Sequence, residues 1–213
     1  MLLSAPAIKK HLEFGRIAID PFDELNLGSC QYDVTLGGTF WRRINYNESV
    51  IHNPYDPECG WDLDSACPAK LEKQSFKNVG ADDGCIVLQP GEIILGHTKE
   101  FIGSRCDSIT TMMKARSSVG RNMITVCSCA GMGDVGYCNR WTMEIKNQSR
   151  DQPIVLVAGR RIAQILFFEV EPVGKSNVYS GKYQPQGTLG EIKAKWKPED
   201  MLPKMWLDRE CKE

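Results

Sequence analysis

Cys85-Ile86-Val87-Leu88, then Gln89-Pro90-Gly91, then Glu92-Ile93-Ile94-Leu95-Gly96-His97 decides the fold class. Two short apolar runs rich in β-branched residues flank a turn, where Pro presets φ and Gly tolerates a positive φ. Neither run has the length of a helix. The pattern recurs at Tyr32-Asp33-Val34-Thr35-Leu36, Thr142-Met143-Glu144-Ile145, Ile154-Val155-Leu156-Val157 and Ile162 to Val170. Turn signals separate these runs at Gly37-Gly38, Asn147-Gln148-Ser149 and Ala158-Gly159. Many short strands punctuated in this way predict a mainly β sandwich or barrel. One helix stands apart: Ser4 caps it, Pro6 lies in its first turn, Ile8 and Leu12 share a face, and Gly15 ends it.

The 213 residues allow one domain with a real core plus an extension. Residues 46–82, rich in Asn, Asp, Pro and Gly, read as a long irregular insert. The polar segment 174–190 buries little and either stays disordered or orders over a ligand. The stretch 191–213 alternates Lys with Ile192, Trp196, Met201, Leu202 and Trp206. Two tryptophans are expected to dock it on the body or on a neighbouring subunit. A net charge of -1 carries no imprint of a nucleic-acid polymer as partner. No apolar stretch approaches the ~20 residues of a membrane helix. Nine cysteines, an odd number, follow no secretory-type leader, so they read as reduced thiols in a cytoplasmic protein. A Cys59–Cys67 bond is the alternative under oxidising conditions.

Chemistry concentrates in Arg116-Ser117-Ser118-Val119-Gly120-Arg121, Ala130-Gly131-Met132-Gly133-Asp134-Val135-Gly136-Tyr137 and Glu144. Guanidinium forks and small hydroxyls suit phosphate oxygens. An Asp in a tight Gly-rich turn can accept from a sugar hydroxyl, and a Glu inside an apolar strand can move protons. The bland readings stand beside these: Asp134 satisfies its own turn, and Glu144 lies on a solvated strand face. A zinc deaminase site needs H-x-E and a later P-C-x-x-C. His11-Leu12-Glu13 supplies the first half, but no C-x-x-C exists, and Cys127-Ser128-Cys129 has the wrong spacing.

Taken in order, these motifs resemble the dCTP deaminase family, within the superfamily of the trimeric dUTPases. The superfamily signals are Arg116-Ser117-Ser118, then Ala130-Gly131-x-x-Asp134-x-Gly136-Tyr137, Asn147, and Gly159-x-Arg161-Ile162-Ala163-Gln164. Glu144 and Lys182-Tyr183-Gln184-Pro185-Gln186-Gly187 favour the deaminase branch, as do Gln31-Tyr32-Asp33-Val34-x-Leu36-Gly37 and Pro90-Gly91-Glu92. The sequence departs from the family pattern at Gly133, where an apolar residue is usual. It departs again at Cys138-Asn139-Arg140, where a small residue and Gly are expected.

The resemblance implies a jelly-roll-like distorted β barrel with a short N-terminal helix, assembled as a homotrimer or hexamer with sites between subunits. Residues 1–190 would form the domain, 174–190 its nucleotide-covering tail. Glu144 would be the proton shuttle, kept ionised by Arg121, which with Ser117 orients the attacking water. Arg116 and Ser118 would hold phosphates with Gln164, Lys182, Gln186 and Tyr179. Asp134 would take the 3′-hydroxyl and Tyr137 pack on the sugar, with Thr142 and Met143 completing the substrate set. Arg161 is read as structural. The implied reaction is zinc-independent deamination of dCTP to dUTP, with Mg2+ bound through the triphosphate and dTTP as candidate inhibitor. Open alternatives are a bifunctional enzyme forming dUMP and pyrophosphate, a deaminase of dCMP or a C5-modified cytosine nucleotide, and a non-catalytic nucleotide binder.

Overall fold

The computed structural model describes residues 1–43, 51–57, 60–72, 74–184 and 186–211. Helix α1 (Ala5–Glu13) follows an extended Ser4 and turns Ile8 and His11 inward. Gly15, at φ +65°, ends it and feeds β1 (Ile17–Asp20). The strands that follow are β2 (Tyr32–Thr35), β3 (Thr39–Arg43), β4 (Trp61–Ser65), β5 (Cys67–Pro68), β6 (Gly84–Leu88) and β7 (Ile93–Ser104). Then come β8 (Ile109–Ala115), the short α2 (Ser117–Arg121), β9 (Ile124–Thr125), β10 (Met132–Gly133) and β11 (Cys138–Asn147). Strands β12 (Ile154–Val157) and β13 (Arg161–Glu169) precede helix α3 (Leu189–Lys195). No described helix is long and apolar enough to cross a membrane.

The strands make three antiparallel sheets, and the architecture is mainly β. The largest runs β4-β3-β7-β11-β9, with β1 pairing the far half of β7; the second runs β10-β8-β13-β2 and the third β12-β6-β5. Side chains alternate across a strand, and β11 shows what this accomplishes. Trp141, Met143 and Ile145 point into a core shared with Tyr32, Phe40 and Phe167. Arg140, Thr142 and Glu144 therefore emerge on the opposite, partly exposed face. Glu144 lies opposite Leu95 and Thr142 opposite His97.

The β7–β11 register shifts between Arg140 and Thr142, where β7 carries extra residues around Thr98-Lys99-Glu100. The irregularity is hydrogen-bonded throughout. Trp141 N donates to Thr98 Oγ1 at 2.9 Å, and Glu100 accepts from Thr35 N at 3.0 Å and Thr35 Oγ1 at 2.8 Å. Burial raises the Glu100 carboxyl above its ordinary value even so.

Two segments depart from the expected picture. Part of the segment read as irregular is strand: β4 pairs with β3 along its length, and β5 pairs with β6. Cys59 lies outside the described residues, and the eight described cysteines are free. The C-terminal stretch packs on the body of its own chain. Thr188 and Glu191 close a capping box on α3, Ile192 and Met201 are buried, and Trp41 Nε1 donates to Pro198 O at 2.8 Å.

Candidate functional site

The outward face of β11 forms one wall of a cavity of about 530 Å³, within the usual size range of small-molecule sites. Glu144, Thr142 and Arg140 line that wall, and Asp134 and Tyr137 enter from the β10–β11 turn. The turn closes with Tyr137 N donating to Asp134 O at 2.9 Å. Gly136 adopts φ +88°, and a Cβ there would meet Val178 Cγ1 at 2.2 Å. Only glycine fits. Glu144 Oε2 accepts from the backbone N of Ser128 at 3.1 Å, tying the carboxylate to the preceding loop.

Gly133 has a packing reason. A Cβ there would stand 2.3 Å from Thr111 Oγ1 and 2.4 Å from Trp141 Cη2. The Trp141 indole fills the space a side chain at 133 would need, while its Nε1 donates to Ile102 O at 3.0 Å. Tyr137 stands edge-on to Trp141 at 5.2 Å and to Tyr179 at 5.7 Å. Desolvation raises its phenol above the ordinary value, so it stays neutral.

The tail lies over this turn. Tyr179 N donates to Val135 O at 2.9 Å. Gln184 bridges two backbone groups: its Oε1 accepts from Cys138 N at 2.7 Å and its Nε2 donates to Gly136 O at 2.9 Å. Asn139 Nδ2 donates to Tyr183 O at 3.1 Å. The departures at Cys138 and Asn139 are thus part of the tail's docking surface. Tyr179 lines the cavity. Lys182 does not: its Nζ donates to Lys204 O at 2.8 Å and pairs with Asp208. Gln186 is exposed.

The arginine–serine turn is built elsewhere. Arg116 leads into α2, whose Ser117, Ser118 and Arg121 are exposed. Asp33, on β2, organises this region. Its Oδ2 lies 3.1 Å from Arg116 Nε and 3.2 Å from Arg161 Nη1, and its Oδ1 accepts from Gln164 Nε2 at 3.0 Å. Arg116, Ser117, Ser118, Arg121 and Gln164 are absent from the lining of the Glu144 cavity. Met143 is fully buried in the core, so any contact it makes with a ligand is through its backbone. Among the described residues, no group of three or more His, Cys, Asp or Glu side chains is placed to hold a metal ion. His11 packs instead 3.4 Å from Glu169, with burial lowering its basicity.

Sequence reasoning missed several cavity residues. Trp61 comes from β4, and Trp196, Asp200, Met201 and Pro203 come from the C-terminal stretch. Asp33 and Gln184 were quoted within motifs without a role. Only the two tryptophans of the extension hinted that it covers something.

The model of the dCTP deaminase-like family matches residues 2–170. The chain belongs to that family. A relative from Coprothermobacter proteolyticus, called "dCTP deaminase, dUMP-forming", is 30% identical over 194 residues, covering 88% of this chain and 95% of the relative. One from Natronomonas pharaonis, called "dCTP deaminase", is 32% identical over 197 residues, covering 88% and 94%. The crystal structure of 2'-deoxycytidine 5'-triphosphate deaminase from Agrobacterium tumefaciens superposes with a TM-score of 0.53 at 19% identity. It covers 78% of this chain, which spans only 47% of that one, and the likeness establishes a shared fold. The family match ends before the C-terminal residues that roof the cavity.

Proposed function

We propose that this protein is an enzyme that hydrolytically deaminates dCTP, releasing ammonia and dUTP. The observation that carries the reading is that Glu144, Asp134 and Tyr137 line one cavity on the outward face of β11. A cytosine ring presented to Glu144 meets a carboxylate able to take a proton from water as the oxygen attacks C4. The same carboxylate then delivers that proton to N3, takes the proton of the new C4 hydroxyl and passes it to the amino group, which leaves as ammonia as the C4 carbonyl of uracil forms. Asp134 accepts from the 3′-hydroxyl, and Tyr137 packs on the sugar. This acid–base work contributes on the order of 10²–10⁴ in rate. Within one chain Ser117, Arg121, Arg116 and Ser118, the residues assigned to the water and the phosphates, stand outside the cavity. A neighbouring copy supplies them, and the assembly is a homotrimer, or two paired as a hexamer.

Mg2+ enters with the triphosphate as part of the substrate, since the described side chains offer no cage for it. The residue set does not match a zinc deaminase, so water activation falls to Glu144. dTTP, sharing the sugar and phosphates, competes at this cavity. A second reading is favoured by the names of relatives: those from Coprothermobacter proteolyticus and Clostridium acetobutylicum, the latter 34% identical, are both called dUMP-forming. On that reading the products are dUMP, pyrophosphate and ammonia.

Incubation with dCTP, dCMP, their 5-methyl forms and dUTP, with chromatography and an ammonia assay, tests both readings. dUTP accumulation supports the first, and dUMP without released dUTP supports the second. Absence of ammonia from every cytosine nucleotide rejects both. Mixing Glu144→Gln subunits with Arg121→Ala subunits should restore part of the activity each lacks. Mixtures as inactive as their parents would reject a site shared between copies.

A further inference from the structure

Among the described residues, Arg140 is the one basic side chain lining the Glu144 cavity, whose acids are Asp134, Glu144 and Asp200. Its guanidinium sits in the corner between two rings set nearly at right angles, 4.4 Å from the Trp196 centroid and 4.9 Å from that of Phe101. Its Nε is buried and has no hydrogen-bond partner. Among the described residues no carboxylate forms an ion pair with it. Glu100, whose charge acts on it, has both oxygens engaged by Thr35. Asp200 already accepts from Lys197 N at 3.1 Å and faces Lys204 at 3.8 Å.

A guanidinium that is half-buried with its Nε left without an acceptor is costly, and cation–π contact offsets that only in part. An arrangement of this kind is stable when a ligand brings the missing acceptor.

Position along the strand identifies the acceptor. Glu144 and Arg140 share one face of β11 four residues apart, roughly 13 Å at the usual rise. Asp134 and Tyr137, the sugar-facing groups, enter the cavity from the turn that precedes Arg140. A nucleotide with its base at Glu144 and its phosphates folded back along this wall brings its anionic part within reach of the Arg140 guanidinium. A neutral nucleoside gives a guanidinium nothing anionic to meet; a phosphate does, and its oxygens match the planar fork.

We propose that Arg140 is a specificity-determining residue of this site, donating to a phosphate oxygen of the nucleotide whose base faces Glu144, with Trp196 as its positioning residue. This assignment rests on the deaminase reading above. It predicts recognition of the phosphate within one protomer, separate from the arginine–serine turn of a neighbour.

The test is calorimetric binding of deoxycytidine, dCMP and dCTP to the full chain carrying Glu144→Gln, so that turnover does not intrude. Adding Arg140→Met should weaken dCMP and dCTP about tenfold or more while deoxycytidine changes less than about twofold. Arg140→Lys, which retains charge and stem, should give an intermediate loss with the same insensitivity of deoxycytidine, and stands in if the methionine variant does not fold. Equal weakening of all three ligands would mean that Arg140 holds only the cavity's architecture, and would overturn the assignment. Binding indifferent to position 140 would overturn it too, leaving the deaminase reading intact. Failure of all three ligands to bind with Arg140 present would overturn that reading and the assignment together.

Discussion

His97 offers a quantitative test of how the C-terminal stretch is held. The ring is 4% exposed, donates from Nδ1 to Thr98 O at 2.8 Å and accepts at Nε2 from Thr39 Oγ1 at 3.0 Å. Its face packs on Trp196 at 4.8 Å. Burial lowers its pKa to about 4, and the nearby Arg140 guanidinium pushes the same way. Between about 4 and the ordinary 6.5 the unfolded chain carries a proton that the folded chain refuses. Stability therefore rises with pH across that window. The contribution is complete above 6.5 and is lost as pH falls toward 4. At about 1.4 kcal/mol per pH unit, the whole window is worth about 3 kcal/mol. His97→Gln, which keeps a donor and an acceptor, removes the titration; its loss of the ring contact with Trp196 does not vary with pH. Urea unfolding at pH 7.0, 5.5 and 4.0 should show the native protein losing about 3 kcal/mol more than the variant. Parallel loss in the two proteins would refute the reasoning. So would a His97 ring that titrates near 6.5 by NMR, which is readable because the chain has three histidines.

Gly133→Ala places a methyl against Trp141 and should destabilise by about 1–3 kcal/mol, a cost that a smaller residue at 141 relieves in the double variant; thermal unfolding of the single and double variants checks this. Asp33→Asn removes the charge that orders Arg116, Arg161 and Gln164, and should cost about 2 kcal/mol of stability and raise KM for the triphosphate; chemical denaturation and steady-state kinetics read the two effects. Thr188→Ala opens the capping box and should weaken the C-terminal stretch by about 1 kcal/mol, seen as faster amide exchange around Ile192 with little change in the β core.

Strands that alternate or run apolar were legible. Cys85–Leu88 and Ile154–Val157 pair with each other along their whole length. Strand β7 read as ending at His97 because Thr98-Lys99-Glu100 resembles a polar turn. Only the tertiary partner Thr35 lets a glutamate be buried there. β8 escaped notice although it lies between β10 and β13, since Thr110-Thr111 near its start and Lys114 near its end leave only Met112-Met113 as an apolar run. β4, Trp61-Asp62-Leu63-Asp64-Ser65, is an edge strand whose acids face water, which disguises it as loop. In the site, Asp134 and Glu144, singled out by residue type and setting, and Tyr137, Thr142 and Tyr179, implied by the family resemblance, line one cavity. Trp61, Asp200, Met201 and Pro203 reach the same cavity through contacts distant in sequence, which leave no local pattern. Gly133 looked like an anomaly because its counterpart, Trp141, is recognisable only once the turn folds back.

Three of the five tryptophans, Trp61, Trp141 and Trp196, border the Glu144 cavity. Each comes from a different part of the chain: an edge strand, the strand bearing Glu144, and the C-terminal stretch. A molecule that enters displaces water from Trp61 and Trp196 and alters their emission, while Trp141 faces the core. The protein thus carries a built-in optical reporter of occupancy, and ligand arrival and departure can be timed by stopped flow without attaching a dye.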